Sequence, residues 1–414
     1  MRTSRAIHAL VRSLAGAPGD RLLVAMALVA LVRQRRLWLK ASPLIAAVPA
    51  LGRPKLKLWQ AIAAALARNN PPPPPQLAEV KVALKATQAY RDAEARLARS
   101  ASSPFGRSVH YRALLDHWRA QPPERLMIFH HHDRRGWLPR SWMEALLAIG
   151  QAGWTVVLSS NDLQPHLAQE LEQSGIVLAL RANVGLCLGA YKDLALLLQQ
   201  DHGLVAGLSS LVLCNDSTLP VAPAASLISQ LEAWAEVGES SERPLLAGMT
   251  DSAQRGAYHL QSYLLYANGA LVQHPAWLRF WLEFRVCGTK DDLINTGEIG
   301  LSQVALAAGV TISCAYPLIA GLLDGEAMAD ELLGFGIVQP KHVNQTLFAW
   351  QSLLERGFPL VKKHVLFDLL ENQGHPMAIA TLARWIPPAR RALLAADLQE
   401  LFVSRYAFTT PDSG

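Results

Sequence analysis

The chain has 414 residues, 51% of them apolar and 17% charged, so it can bury a substantial core and is too apolar for a disordered protein. Its four cysteines, Cys187, Cys214, Cys287 and Cys314, lie far apart with no CxxC pair and no Cys–His spacing; this excludes a disulfide scaffold or a zinc knuckle and fits free thiols in a reducing compartment. The net charge of +6 is uneven, because the first 120 residues hold 20 Lys/Arg against 5 Asp/Glu while the remainder is net acidic, an asymmetry that points to a polyanionic surface as partner.

Residues 1–70 read as a basic, apolar, helical region. Their longest apolar run, Leu22–Val32, has 11 residues flanked by Arg21 and by Arg33, Arg35 and Arg36. As a helix it reaches across about half of a bilayer core. It reads as a helix lying on an anionic membrane surface or as a plain docking helix. No small-residue cleavage site follows that would make it a signal peptide. Nucleic acid is not expected as partner, since the arm lacks the interleaved aromatic platforms of single-strand binders.

Pro71–Pro75 form a stiff spacer. Residues 71–120 are expected to be this linker followed by helices over Val80–Ala98 and Tyr111–Trp118. Over 121–325 the pattern alternates. Strands are expected at RLMIFHHHD, WTVVLSSND, IVLALRAN and LSSLVLCND, with helices between them at Trp142–Gln151, His166–Ser174 and Gly189–Asp201. That alternation predicts βαβ units and a mainly parallel, Rossmann-like α/β sheet flanked by helices. Each strand ends in polar residues, which sets Asp133, Ser159, Ser160, Asn161, Arg181, Asn183 and Asp216 along one edge. A helix over Ala224–Val237 leads to PLLAGMTDS and YHLQSYLLYANGALV, an antiparallel extension. A Trp-rich helix follows at Pro275–Val286, then GTKDDLINTGE as a polar loop, a helix over Glu298–Gly309 and a strand at VTISCAYP. The remainder, 326–414, reads as helical.

The run Leu211–Ser217 (LVLCNDS) is the centre of the pattern. An apolar strand delivering Asn215, Asp216 and Ser217 to the carboxyl edge suits a divalent cation or a ribose hydroxyl; the alternative is that Asp216 only caps the next turn. Asp251, in the turn MTDS, supplies a second separated carboxylate. Arg181 and Asn183, then Gly185, Gly189 and Lys192, make a glycine-bearing turn into a helix, suited to phosphate, although an ordinary loop has the same composition. His130–His132 do not form a metal site if they lie on a strand, because consecutive side chains there point to opposite faces; the His-to-Asp step at Asp133 suits a base or ribose contact. Glu298 opens a helix after Gly297, where a carboxylate is favoured both as a cap and as a general base facing the same cleft.

Several of these stretches resemble successive blocks of the rhamnan synthesis F family of bacterial glycosyltransferases. They are RANVGLCLGAYK, NDSTLPVAP, TDSAQRGAYHLQSYLLYANGALVQHPAWLRFW, INTGEIGLSQVALAAG and NQTLFAWQSLLERGFPLVKKHVL, in order between about Arg125 and Val365. The resemblance implies a GT-A-like fold over 121–325, with a helical region 326–414 completing the donor site. It also implies an inverting transfer of a sugar, such as L-rhamnose from its dTDP donor, to a glycan or lipid-linked acceptor. The place implied is the cytoplasm, peripheral at the inner face of the cell membrane.

By the same resemblance Asn215, Asp216 and Ser217 would hold the donor diphosphate with Mg²⁺ or Mn²⁺ on Asp216. Arg181, Asn183, Lys192, Asp251 and Lys362 would contact the donor, and Asn344 and Trp350 would help to cover it. His259, Gln261 and Ser262 would line the sugar side, with Glu298 as base. The chain departs from the family at Leu186-Cys187-Leu188, where Tyr-Asp-Phe is usual, and at Gln345, where a proline follows the Asn. Its acidic motif carries one carboxylate rather than two. The departures motivate an alternative: a non-catalytic relative that binds nucleotide sugar or glycan and organises an assembly complex.

Overall fold

The computed structural model describes residues 108–406, apart from 134, 287–289 and 325. The apolar run Leu22–Val32, the proline spacer and the helix expected over Val80–Ala98 lie outside the described residues. Ten strands are described: β1 (Arg125–His131), β2 (Thr155–Ser160), β3 (Val177–Leu180), β4 (Ser210–Asn215), β5 (Thr218–Pro220), β6 (Leu245–Ser252), β7 (His259–Leu260), β8 (Leu264–Asn268), β9 (Thr311–Tyr316) and β10 (Leu360–Lys362). The longer helices are α1 (Tyr111–Ala120), α2 (Arg140–Gln151), α3 (Pro165–Gln173), α4 (Leu186–Leu198), α5 (Ala224–Glu239), α6 (Pro275–Glu283), α7 (Gly300–Ala307), α8 (Lys363–Gln373) and α9 (Arg391–Tyr406).

The main sheet runs β3-β2-β1-β4-β8-β6, with β7 on the end of β6 and β9 also paired to β6. Strands β1 to β4 are mutually parallel, β8 is antiparallel to both β4 and β6, and β9 is parallel to β6. The protein is therefore α/β, with a mostly parallel mixed sheet between helices, compatible with a Rossmann-like arrangement. A separate two-stranded ladder joins β5 to β10.

Alternation along the strands divides the core. Met127, Phe129, Val156, Leu158, Val212 and Cys214 face the helices α2 and α5, where the Trp142 ring lies 4.6 Å from that of Phe129. Leu126, Ile128, Val157, Leu211 and Leu213 are equally buried on the other face, because both faces of a parallel sheet are covered. Helix α4 lies on that second face. It is buried continuously from Leu188 to Leu198, as expected of a helix that is apolar nearly all round.

Two expectations are corrected here. The helix read as starting at Gly189 begins three residues earlier, after Gly185 in the left-handed region (φ 74°), and Leu186 itself has φ 56°. The supposed loop GTKDDLINTGE is helical from Lys290 on, passing through a π-helical turn (Ile294–Ile299) directly into α7. Glu298 therefore sits inside a continuous helical run rather than at a free helix start, and the favourable helix-end field invoked for it does not apply. The π turn is held by packing: a Cβ on Gly297 would come within 2.5 Å of Leu188 and 2.9 Å of Phe284.

Candidate active site at the carboxyl edge of the sheet

Strand β4 ends where the sequence pattern set it, beside β1, and its last residue Asn215 is in register with His130. The backbone then turns sharply. Ser217 N–H donates to Asn215 Oδ1 at 2.9 Å, and Asp216 N–H donates to the His130 carbonyl at 3.2 Å. Asp216 Oδ2 accepts from His132 N–H at 3.3 Å and from Lys363 Nζ at 2.8 Å. Burial alone would raise the Asp216 pKa, but Lys363, and after it His131, outweigh that effect and hold it below the ordinary carboxylate value. The pair is not sealed in: the side chains of Lys363 and Asp216 remain 16% and 12% exposed.

Lys362 approaches the same turn. Its Nζ donates to Ser217 Oγ at 3.2 Å and stands 4.3 Å from the Tyr263 ring centroid. Burial pushes its pKa down to about 8, with the negative charge of Glu298 opposing. Both lysines are delivered by the β5–β10 ladder, in which Lys362 is in register with Thr218, and Lys363 N–H donates to the Ser217 carbonyl at 2.9 Å.

Glu298 comes to this edge from the π turn. Its Oε2 accepts from Ser262 N–H at 2.8 Å and from Ser262 Oγ at 2.5 Å, while Oε1 lies 3.7 Å from His259 Nε2. His259 Nδ1 donates to the Ala257 carbonyl at 2.9 Å, which fixes the ring. The Ser262 carbonyl in turn accepts from Asn215 Nδ2 at 3.3 Å and Tyr191 Oη at 3.2 Å. Glu298 is thus joined through Ser262 to Asn215 of the Asn215–Asp216–Ser217 turn by hydrogen bonds, while Asp216 itself bonds His132, His130 and Lys363. Cys187, at the start of α4, completes the neighbourhood: burial first, then the charge of Glu298, pushes its thiol up to about 12, so it stays neutral.

Other expected residues sit elsewhere. Arg181 forms a fully buried ion pair with Asp193 of α4 at 2.9 Å, and its second bond goes to the Val184 carbonyl; it fastens the turn to the helix. Lys192 donates to the carbonyls of Leu282 and Phe284 at 3.2 and 2.5 Å, tying α4 to α6. Asp251 accepts from Leu318 N–H at 2.7 Å and Gln345 Nε2 at 3.2 Å, and so holds the end of β6 to the residues after β9 and to the carboxy-terminal region. Gln261 spends its amide on Thr250 and Asn344. Each of these four is buried and makes polar bonds inside the fold.

His130 and His131 point to opposite faces, as strand geometry requires. His131 lies between Ser160 Oγ and the Trp137 carbonyl, at 2.9 and 2.8 Å. His130 is on the α4 side, where burial and then Arg181 push its pKa down to about 3. Along that side several buried polar atoms have no hydrogen-bond partner among the described residues: His130 Nδ1, Ser159 Oγ, Asn161 Oδ1, Arg181 Nη1 and Asn183 Oδ1. Buried polar atoms are usually satisfied, so this group of five marks a place where a polar ligand or water would be received.

The donor set does not fit a resident divalent cation. Among the described residues no three His, Cys, Asp or Glu side chains converge, and the carboxylate of the Asn-Asp-Ser turn already holds an ammonium group. Lys363 was not singled out in the sequence, because nothing local separates it from Lys362; the β10 pairing that aims it is only three residues long. No family model matches the chain, and no curated protein matches it either.

Proposed function

We propose that the protein is an inverting glycosyltransferase of the GT-A-like kind, transferring a sugar from a nucleoside diphosphate donor to a glycan or lipid-linked acceptor. The observation that carries this reading is the network joining Glu298 to the Asn215–Asp216–Ser217 turn through Ser262. A base and a phosphate-facing turn on one edge are what an in-line displacement at a sugar carbon needs. The acceptor hydroxyl attacks the anomeric carbon from the face opposite the diphosphate. Its proton passes to Glu298 Oε1, the oxygen that Ser262 leaves free. The carbon–oxygen bond to the diphosphate breaks, and its electron pair stays on the departing phosphate.

The unpartnered atoms of His130, Ser159, Asn161 and Asn183 support a nucleoside lying against the carboxyl ends of β1 and β2 and the turn after β3. The resemblance to the rhamnan synthesis F family favours L-rhamnose from a dTDP donor as the sugar. The basic region 1–70 would hold the enzyme at the inner membrane face, where a lipid-linked acceptor resides. Among the described residues no helix is long and apolar enough to cross a membrane.

A panel of dTDP- and UDP-sugars, assayed for release of free nucleoside diphosphate with and without lipid-linked acceptor, tests the reading. Acceptor-stimulated release supports it. A second reading, a non-catalytic nucleotide-sugar or glycan binder, is favoured by the neutral Cys187 thiol standing where the family has a carboxylate; binding of a donor with no release under any condition would establish that one instead.

A further inference from the structure

We infer that Lys363, with Lys362 beside it, takes the part of a divalent cation in carrying the charge of the departing diphosphate, so that donor binding needs no metal. The inference rests on the nucleotide-sugar reading above. Asp216 is then a positioning residue, which holds the Lys363 ammonium at the strand end, rather than a metal ligand.

Four observations lead there. The Lys363 ammonium is 2.8 Å from Asp216 Oδ2, one of the two carboxylate oxygens a metal could take, and the two side chains are partly open to solvent. A divalent ion on that oxygen would stand next to a fixed positive charge, and the repulsion counts double against it. The second ammonium, on Lys362, sits at the adjacent residue of the same turn, 3.2 Å from Ser217 Oγ. Neither lysine is a loose surface group, for β10 is clamped to β5 and the Lys363 N–H to the Ser217 carbonyl.

Ammonium groups are compact donors that bind phosphate oxygens as point charges. In the transfer both lysines keep their protons. The acceptor oxygen gains the bond to the anomeric carbon, and Glu298 gains the acceptor's proton. The diphosphate leaves with the electron pair, against two ammonium groups already in place. That is charge stabilisation by preorganised donors, which requires no ion to be recruited.

The test is calorimetric titration of the full-length protein with dTDP and with UDP, first in EDTA and then in excess Mg²⁺. The inference expects affinities that agree within about threefold between the two buffers. Lys363→Met should weaken nucleoside diphosphate binding about tenfold or more, and Lys363→Arg should stay within about threefold of the original chain. Asp216→Asn, whose amide oxygen still accepts from Lys363, should retain binding in EDTA. Binding that appears only with Mg²⁺, or Lys363→Met binding like the original chain, overturns the inference while leaving the nucleotide-sugar reading in place. Failure of both nucleotides to bind in either buffer overturns that reading, and the lysine role with it. Should Lys363→Met not fold, the EDTA comparison on the unaltered chain still decides.

Discussion

Ser262 gives both its backbone N–H and its hydroxyl to one oxygen of Glu298, at 2.8 and 2.5 Å, and so leaves the other oxygen on the His259 side. The same residue's carbonyl takes Asn215, the neighbour of Asp216. One serine therefore sets the aim of a carboxylate and steadies the turn opposite it.

Glu298→Gln keeps the shape of the side chain and removes its ability to take a proton. Turnover of a productive donor–acceptor pair should fall about 10²- to 10⁴-fold, with donor affinity unchanged within about threefold. Steady-state kinetics alongside calorimetric binding checks both halves. Undiminished turnover would remove Glu298 as the base.

Ser262→Ala deletes a hydrogen bond to a charged group and leaves the backbone donor in place. Such bonds are worth about 1.5–3 kcal/mol, and partial loss here should lower folding stability by about 1–2 kcal/mol. Turnover should fall as well, since Glu298 would no longer be held by two donors. Urea denaturation and kinetics on the same preparation give the two readouts. A change in neither would mean the short contact contributes nothing.

Arg181→Met should act on stability rather than on the donor. It removes the cation paired with Asp193, whose side chain is fully buried and keeps a bond from Tyr111 Oη, and breaking such a pair costs about 3–5 kcal/mol. Replacing both partners by apolar residues, Arg181→Met with Asp193→Leu, should recover most of the loss. If the single variant proves as stable as the original and only nucleotide affinity drops, Arg181 belongs among the donor contacts after all.

Acid should weaken the fold in two stages. His130 is neutral in the folded protein down to about pH 3, whereas an unfolded chain protonates its imidazole near pH 6.5. Its contribution is complete above that upper value and is lost as pH falls toward the lower one, at up to about 1.4 kcal/mol per pH unit. The depressed Asp216 acts lower, losing its contribution as pH drops below the ordinary carboxylate value of about 3.8. Unfolding midpoints measured across this range should slope down from about pH 6.5. His130→Asn should flatten the upper part of the slope and leave the acid end in place.

The sequence pattern is enough to read the parallel strands β1 to β4 and the antiparallel return at β8, because short apolar runs with polar ends alternate with helical segments. It is not enough for Lys290–Ile299. Those polar residues look like a loop; what makes them helical is Gly297 packing against Leu188 and Phe284, a contact no local window contains. The strand-end address of Asn215, Asp216 and Ser217 is legible in the sequence, whereas the helical surroundings of Glu298 are not. The internal partners of Arg181 and Lys192 are not legible, because cations in a glycine turn look the same from the sequence whether they face phosphate or an internal partner. Asp193, next to Lys192 in the chain, claims Arg181 from about two helical turns into α4. Lys363 was passed over for the opposite reason, since its partner lies in a distant part of the chain.

The β5–β10 clip has a consequence for how the protein matures. Its lysines meet the Asp216 turn across a separation of about 145 positions, so a ribosome finishes every strand of the main sheet before either cation has been made. A nascent or prematurely terminated product would lack both cations beside Asp216, and with them the carboxy-terminal residues that share the core with Phe129 and Trp142. Competence would arrive last, with the carboxy-terminal helices, rather than growing in step with the sheet.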